Sequence, residues 1–127
     1  MGNIPPISSY SSSFPSPNTL LQELSHLMDE WRNALKQWNA HPPGISILQL
    51  EGVLQRMKAF LEKNKKELYS LGKAKGWPEN GPKGYATFFE GTIDAINNFM
   101  FRPNSASLVF GNEQITELHW LLSNKST

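Results

Sequence analysis

The chain has 127 residues, a net charge of +1 and no cysteine, with 39% hydrophobic residues that include four Trp and seven Phe. This is about one domain's worth of chain, and the lack of thiols excludes disulfides, thiolate metal sites and cysteine catalysis. No apolar run reaches the roughly eighteen residues of a membrane-crossing helix, and the N-terminus lacks the charged segment and apolar block of a general secretory signal.

Residues 1–18, MGNIPPISSYSSSFPSPN, hold six Ser, four Pro and no charged side chain. Pro removes backbone donors and Ser competes for backbone hydrogen bonds, so a disordered tail is expected here. The folded part is then residues 19–127, long enough to bury roughly 65% of the surface its unfolded chain exposes.

Within that tail, Ile4 and Pro5 stand near the start, Ser8, Ser9, Ser11, Ser12, Ser13 and Ser16 follow, and no acidic residue precedes Glu23. In these features the tail resembles the export signals of bacterial type III secretion substrates, effectors of plant-associated bacteria in particular. The resemblance covers the tail alone. It implies a secreted, effector-like protein whose partner is a host protein or a secretion chaperone. Myristoylation of Gly2 is not expected, because Pro6 stands where that signal requires Ser or Thr.

Beyond the tail the spacing predicts four helices, and so an all-α, bundle-like domain. The first runs over 19–39. Thr19 and Gln22 have capping-box spacing, Leu20, Leu24, Leu27, Met28, Trp31, Leu35 and Trp38 share one face, and Pro42-Pro43 ends it. The second runs over 46–71, with a second capping box at Ser46 and Gln49 and Gly72 as its stop. Its seam of Ile47, Leu50, Leu54, Met57, Leu61, Leu68 and Leu71 is interrupted once, by Asn64. Short connection makes these two helices antiparallel neighbours. Residues 72–84 read as a loop, in which Trp77 is expected to tuck onto the core or, alternatively, to anchor a partner. The third helix spans 84–101 on an aromatic face, with Gly91 permitting close approach and Phe101 either buried or at an interface. Asn104 to Gly111 is expected as an extended connector, with strand-like Leu108-Val109-Phe110 plugging the core. Asn112 then caps a short last helix over 112–123.

Chemistry is sparse. His26, with Glu23 and Glu30 three and four residues away, has metal-like spacing but reads more simply as a surface cluster. His41 reads as a turn residue and His119 as a half-buried side chain. Glu90 and Asp94 are four apart, with nothing to split their pKa values as acid–base catalysis requires. Phosphate-loop, nucleophile-elbow and zinc-protease patterns are missing. The expectation is therefore a protein that is not an enzyme and uses no cofactor or metal.

What remains is charge. Residues 56–83 carry eight Lys or Arg against three Glu, whereas the segments on either side each sum to −2. Lys63, Lys65, Lys66, Lys73 and Lys75, with Trp77, form the candidate binding surface. It suits an acidic protein or, in the alternative reading of a cytoplasmic module, nucleic acid. The plainer reading is solvent cover, since Glu62–Lys66 and Lys63–Glu67 are spaced to pair and lysines suit a helix C-terminus.

Overall fold

The structure, a computed structural model, describes residues 16–127. Residues 1–15, most of the expected tail, lie outside the described part. Among the described residues all regular structure is helical: α1 (Pro17–Asn39), α2 (Ile47–Lys63), α3 (Lys65–Ala74), α4 (Tyr85–Phe101) and α5 (Ser105–Ser123).

The start of α1 lies two residues before the expected position. Ser16, not Thr19, is the N-cap, its Oγ accepting the Thr19 amide at 3.2 Å. Pro17 in the first turn has no amide to leave unsatisfied. Residues 16–18 therefore belong to the helical domain rather than to a tail. The buried stripe of Leu20, Leu24, Leu27, Met28, Trp31 and Ala34 is the face that the spacing predicts. In α2 the capping box forms as expected: Ser46 Oγ accepts the Gln49 amide and Gln49 Oε1 accepts the Ser46 amide, both at 3.1 Å.

The expected helix 46–71 is two helices, broken at Asn64. Its carboxamide Nδ2 turns back and donates to the Phe60 carbonyl at 2.9 Å, sharing that acceptor with its own backbone amide at 3.0 Å. Competition of this kind bends helices. The amides of Asn64 and Leu68 still bond four residues back, to the carbonyls of Phe60 and Asn64. Gly72 is not the stop. It is buried inside α3, where a Cβ would come within 2.6 Å of the Tyr85 ring. The stop is Gly76, at φ +88°, with Gly76 N–H on the Lys73 carbonyl and Trp77 N–H on the Gly72 carbonyl. These are the paired bonds of a Schellman motif.

The first turn of α4 is capped by loop backbone. The amides of Tyr85 and Ala86 donate to the carbonyls of Pro78 and Glu79 at 3.1 and 2.9 Å. Phe101, at the far end, is 88% exposed, so of its two expected placements the buried one does not occur.

The largest correction concerns residues 104–111. They are not an extended plug but the first two turns of α5, capped by Asn104, whose Oδ1 accepts the Ser107 amide at 2.8 Å. Leu108, Gly111, Ile115, Leu118 and Leu122 form its buried line, at the alternating three- and four-residue spacing of a core-facing helix.

The helices close into a ring of antiparallel neighbours. Glu30 meets Arg56 across α1 and α2, Lys58 meets Asn97 across α2 and α4, and Trp31 meets Leu108 across α1 and α5. Helices α4 and α5 pack against each other most extensively. Trp31 is fully buried, and its Nε1 donates to the Leu108 carbonyl at 3.1 Å. At Gly111 any Cβ would overlap the Trp31 ring and lie 2.9 Å from the Ala95 Cβ.

Gly111→Ala should therefore destabilise the domain. Overpacking costs about 1–3 kcal/mol and outweighs the gain in helix propensity of about 1 kcal/mol. Gly91→Ala is the control, since its Cβ meets only the flexible Gln114 side chain of α5. Urea unfolding is expected to show a lower midpoint for the first variant and little change for the second. An unchanged midpoint for Gly111→Ala would refute the steric argument.

Candidate functional site

The break at Asn64 also shapes the basic surface. Lys63 ends α2, Lys65 and Lys66 open α3, and Lys73 sits in the last turn of α3. Lys65, Tyr69 and Lys73 succeed one another at four-residue intervals and so share a face. These lysines surround a depression of about 530 Å³, whose lining also includes Glu62, Ser70, Glu79, Tyr69 and Tyr85. Its floor is aromatic. Tyr69 meets Tyr85 and Phe89 edge-on at centroid distances of 5.2 and 5.3 Å. The Lys65 ammonium lies over both the Tyr69 and Phe89 rings, 5.3 and 5.8 Å from their centroids, within cation–π range.

Neither of the expected intrahelical pairs forms. Glu62–Lys66 and Lys63–Glu67 both straddle Asn64, and the break takes them out of the register that would bring them together. The ion pairs among the described residues are His26–Glu30, Arg32–Asp29 and Arg56–Glu30, all involving α1. Lys58 is held instead by Asn97 Oδ1 at 2.8 Å. Lys63, Lys65, Lys66 and Lys73 are all exposed and have no ion-pair partner among the described residues. The lysines are thus solvent-exposed, as read from the spacing, but without the expected pairing.

The remaining two candidate residues lie elsewhere. Lys75 is the half-buried C-cap of α3, and its carbonyl accepts the Ser126 amide at 2.8 Å. Trp77 turns inward, its Nε1 donating to the carbonyls of Leu121 and Asn124 at 2.8 Å each. It supplies a further donor at the end of α5, where the Leu121 carbonyl also accepts the Asn124 amide at 3.3 Å. Its ring lies 5.7 Å from that of Trp120, which is half exposed and has the Lys83 ammonium 6.0 Å above it.

Tyr69 has no place in the residue reading of the surface, although its position midway between Lys65 and Lys73 was a usable signal. Its hydroxyl is buried and has no hydrogen-bond partner among the described residues. Burial, with the nearby charges of Glu90 and Glu79, pushes its pKa up to about 12. The group is therefore a proton donor throughout the physiological range.

Of the histidines, His26 Nε2 lies 3.2 Å from Glu30 Oε2, and Glu30 is shared with Arg56. Glu23 does not complete a metal cluster, and no group of three or more ligating side chains is found among the described residues. His119 is half buried, and burial, followed by the charge of Arg32, lowers its pKa below the usual 6.5. Glu90 and Asp94 are exposed beside Lys65 in a shallow hollow of about 190 Å³. No helix of the described residues is long and apolar enough to cross a membrane. Comparison of the chain with protein-family models, curated proteins and solved structures gives no match.

Two pH effects follow with opposite signs. The unfolded chain protonates His119 more readily than the folded one, so its contribution is complete above pH 6.5 and is lost as pH falls through the lowered folded value. Tyr69 behaves in reverse: its contribution is complete below pH 10 and is lost as pH rises towards about 12. Melting temperature measured across pH should accordingly fall on both sides. His119→Gln should flatten the acid limb and Tyr69→Phe the alkaline limb; limbs unchanged by these substitutions would contradict the assignment.

Proposed function

We propose that this chain is a small non-enzymatic binding protein exported by a bacterial type III secretion system. Its folded domain acts by holding an acidic protein surface against Lys63, Lys65, Lys66 and Lys73. The observation that carries this reading is the gathering of these lysines, without ion-pair partners among the described residues, around one depression. Exposed like charges in a concave setting attract an oppositely charged partner and speed its encounter. Export rests on the Ser/Pro-rich, uncharged composition of the tail.

The same lysines favour a second reading, a bacterial cytoplasmic module that binds nucleic acid. Two features weigh against it. Glu62 and Glu79 share the lining and would face a continuous run of phosphates, and the patch holds no Arg, the usual side chain for base recognition.

A peptide rich in Asp and Glu is the direct probe. Replacing Lys63, Lys65, Lys66 and Lys73 together by Gln should weaken its binding about ten-fold or more, given several pairs at up to about 1 kcal/mol each, while the circular dichroism spectrum stays the same. Equal affinity in the variant defeats the binding reading. Tighter, steeply salt-dependent binding of duplex DNA by the original chain would select nucleic acid instead. Export is tested separately by deleting residues 2–15, which leaves the Ser16 cap and the first turn of α1 in place. Undiminished secretion from a competent strain would remove the export reading.

A further inference from the structure

We propose that the partner presents a phosphate monoester on a peptide side chain, and that this group occupies the depression over Tyr69; the inference rests on the acidic-partner reading above. Charge balance is the first argument. The lining holds four lysines against two glutamates, a surplus of two positive charges. A phosphate monoester carries about −1.5 to −2 at neutral pH and cancels that surplus, whereas one carboxylate leaves half of it. A longer polyanion would bring further phosphates onto Glu62 and Glu79.

The donors suit the same group. Ammonium groups sit on either side of the break, at Lys63 and at Lys65 and Lys66. Next to them lies the first turn of α3, whose N-cap Asn64 makes no side-chain capping bond. The Asn64 side chain, which would ordinarily cap that turn, is committed to Phe60 instead. The start of a helix favours negative charge close to it.

Size and floor point to an aryl ester. At about 530 Å³ the hollow exceeds a bare phosphate, and its lining includes the Tyr69 and Tyr85 rings, against which a phenyl ring packs edge-on. Lys65, already held over the Tyr69 and Phe89 rings, needs only to swing its ammonium onto the phosphate.

The test compares phenyl phosphate with phenyl sulfate, which is nearly the same shape but carries a single charge, by nitrogen–proton NMR titration of the full chain. Phenyl phosphate should shift the amides of Lys65, Lys66 and Tyr69 saturably and bind several-fold tighter than phenyl sulfate. Lys65→Gln should weaken it about five-fold, and Lys36→Gln, on α1, should leave it unchanged. Equal binding of the two esters overturns the proposal, as does a response spread evenly over all lysines. An acidic peptide that shifts the same amides while phenyl phosphate does not would overturn the phosphate inference and leave the acidic-partner reading intact. Failure of both probes removes both.

Discussion

The fold depends on one indole. Trp31 is fully buried, donates to the Leu108 carbonyl and lies so close to Gly111 that no side chain fits between them. A buried indole N–H without an acceptor is costly, and so is a void the size of its ring. Both requirements are met only if α5 passes at that depth and in that register. Two further tryptophans hold the same helix: Trp38 donates to Ser105 Oγ at 2.9 Å, and Trp77 donates to the carbonyls of Leu121 and Asn124. The last helix is thus fastened near its start, in its first half and at its end by side chains from other parts of the chain.

That dependence explains which elements were legible in the sequence. Helices α1, α2 and α4 declare themselves by regular apolar spacing, and α2 also by a capping box that forms as read. The first half of α5 does not. Val109 and Phe110 are exposed beside buried Leu108, so the apolar residues run consecutively and imitate a strand, and Gly111 looks like a terminator. Only the ring of Trp31, distant in sequence, shows why a glycine belongs in the middle of that helix. Gly72 is a similar case. It reads as a helix stop but makes room for Tyr85, while the true stop is Gly76, four residues on.

The candidate site was half legible. Four of the six candidate residues, Lys63, Lys65, Lys66 and Lys73, do share one depression. Lys75 and Trp77 do not, because the chain reverses at Gly76 and carries Trp77 onto α5. Local spacing also misjudged the charge balance. Lysines and glutamates four residues apart neutralise each other only on an unbroken helix, and Asn64 breaks it. The seam shows a single polar residue at that position, but nothing in the spacing tells that its carboxamide would take the Phe60 carbonyl.

The same interruption divides the domain mechanically. Backbone hydrogen bonds along a helix report opening cooperatively, each turn lending stability to the next. At Asn64 that ladder is disturbed, because its carboxamide shares the Phe60 carbonyl with its own backbone amide, so unwinding that starts at Gly76 meets a weak point there before it reaches α2. Helix α3 and the lysines it carries are therefore expected to open more readily than α2. In amide hydrogen exchange this corresponds to two classes of protection within what the apolar seam presents as one helix. A ligand resting on α3 would be recorded chiefly in the less protected class.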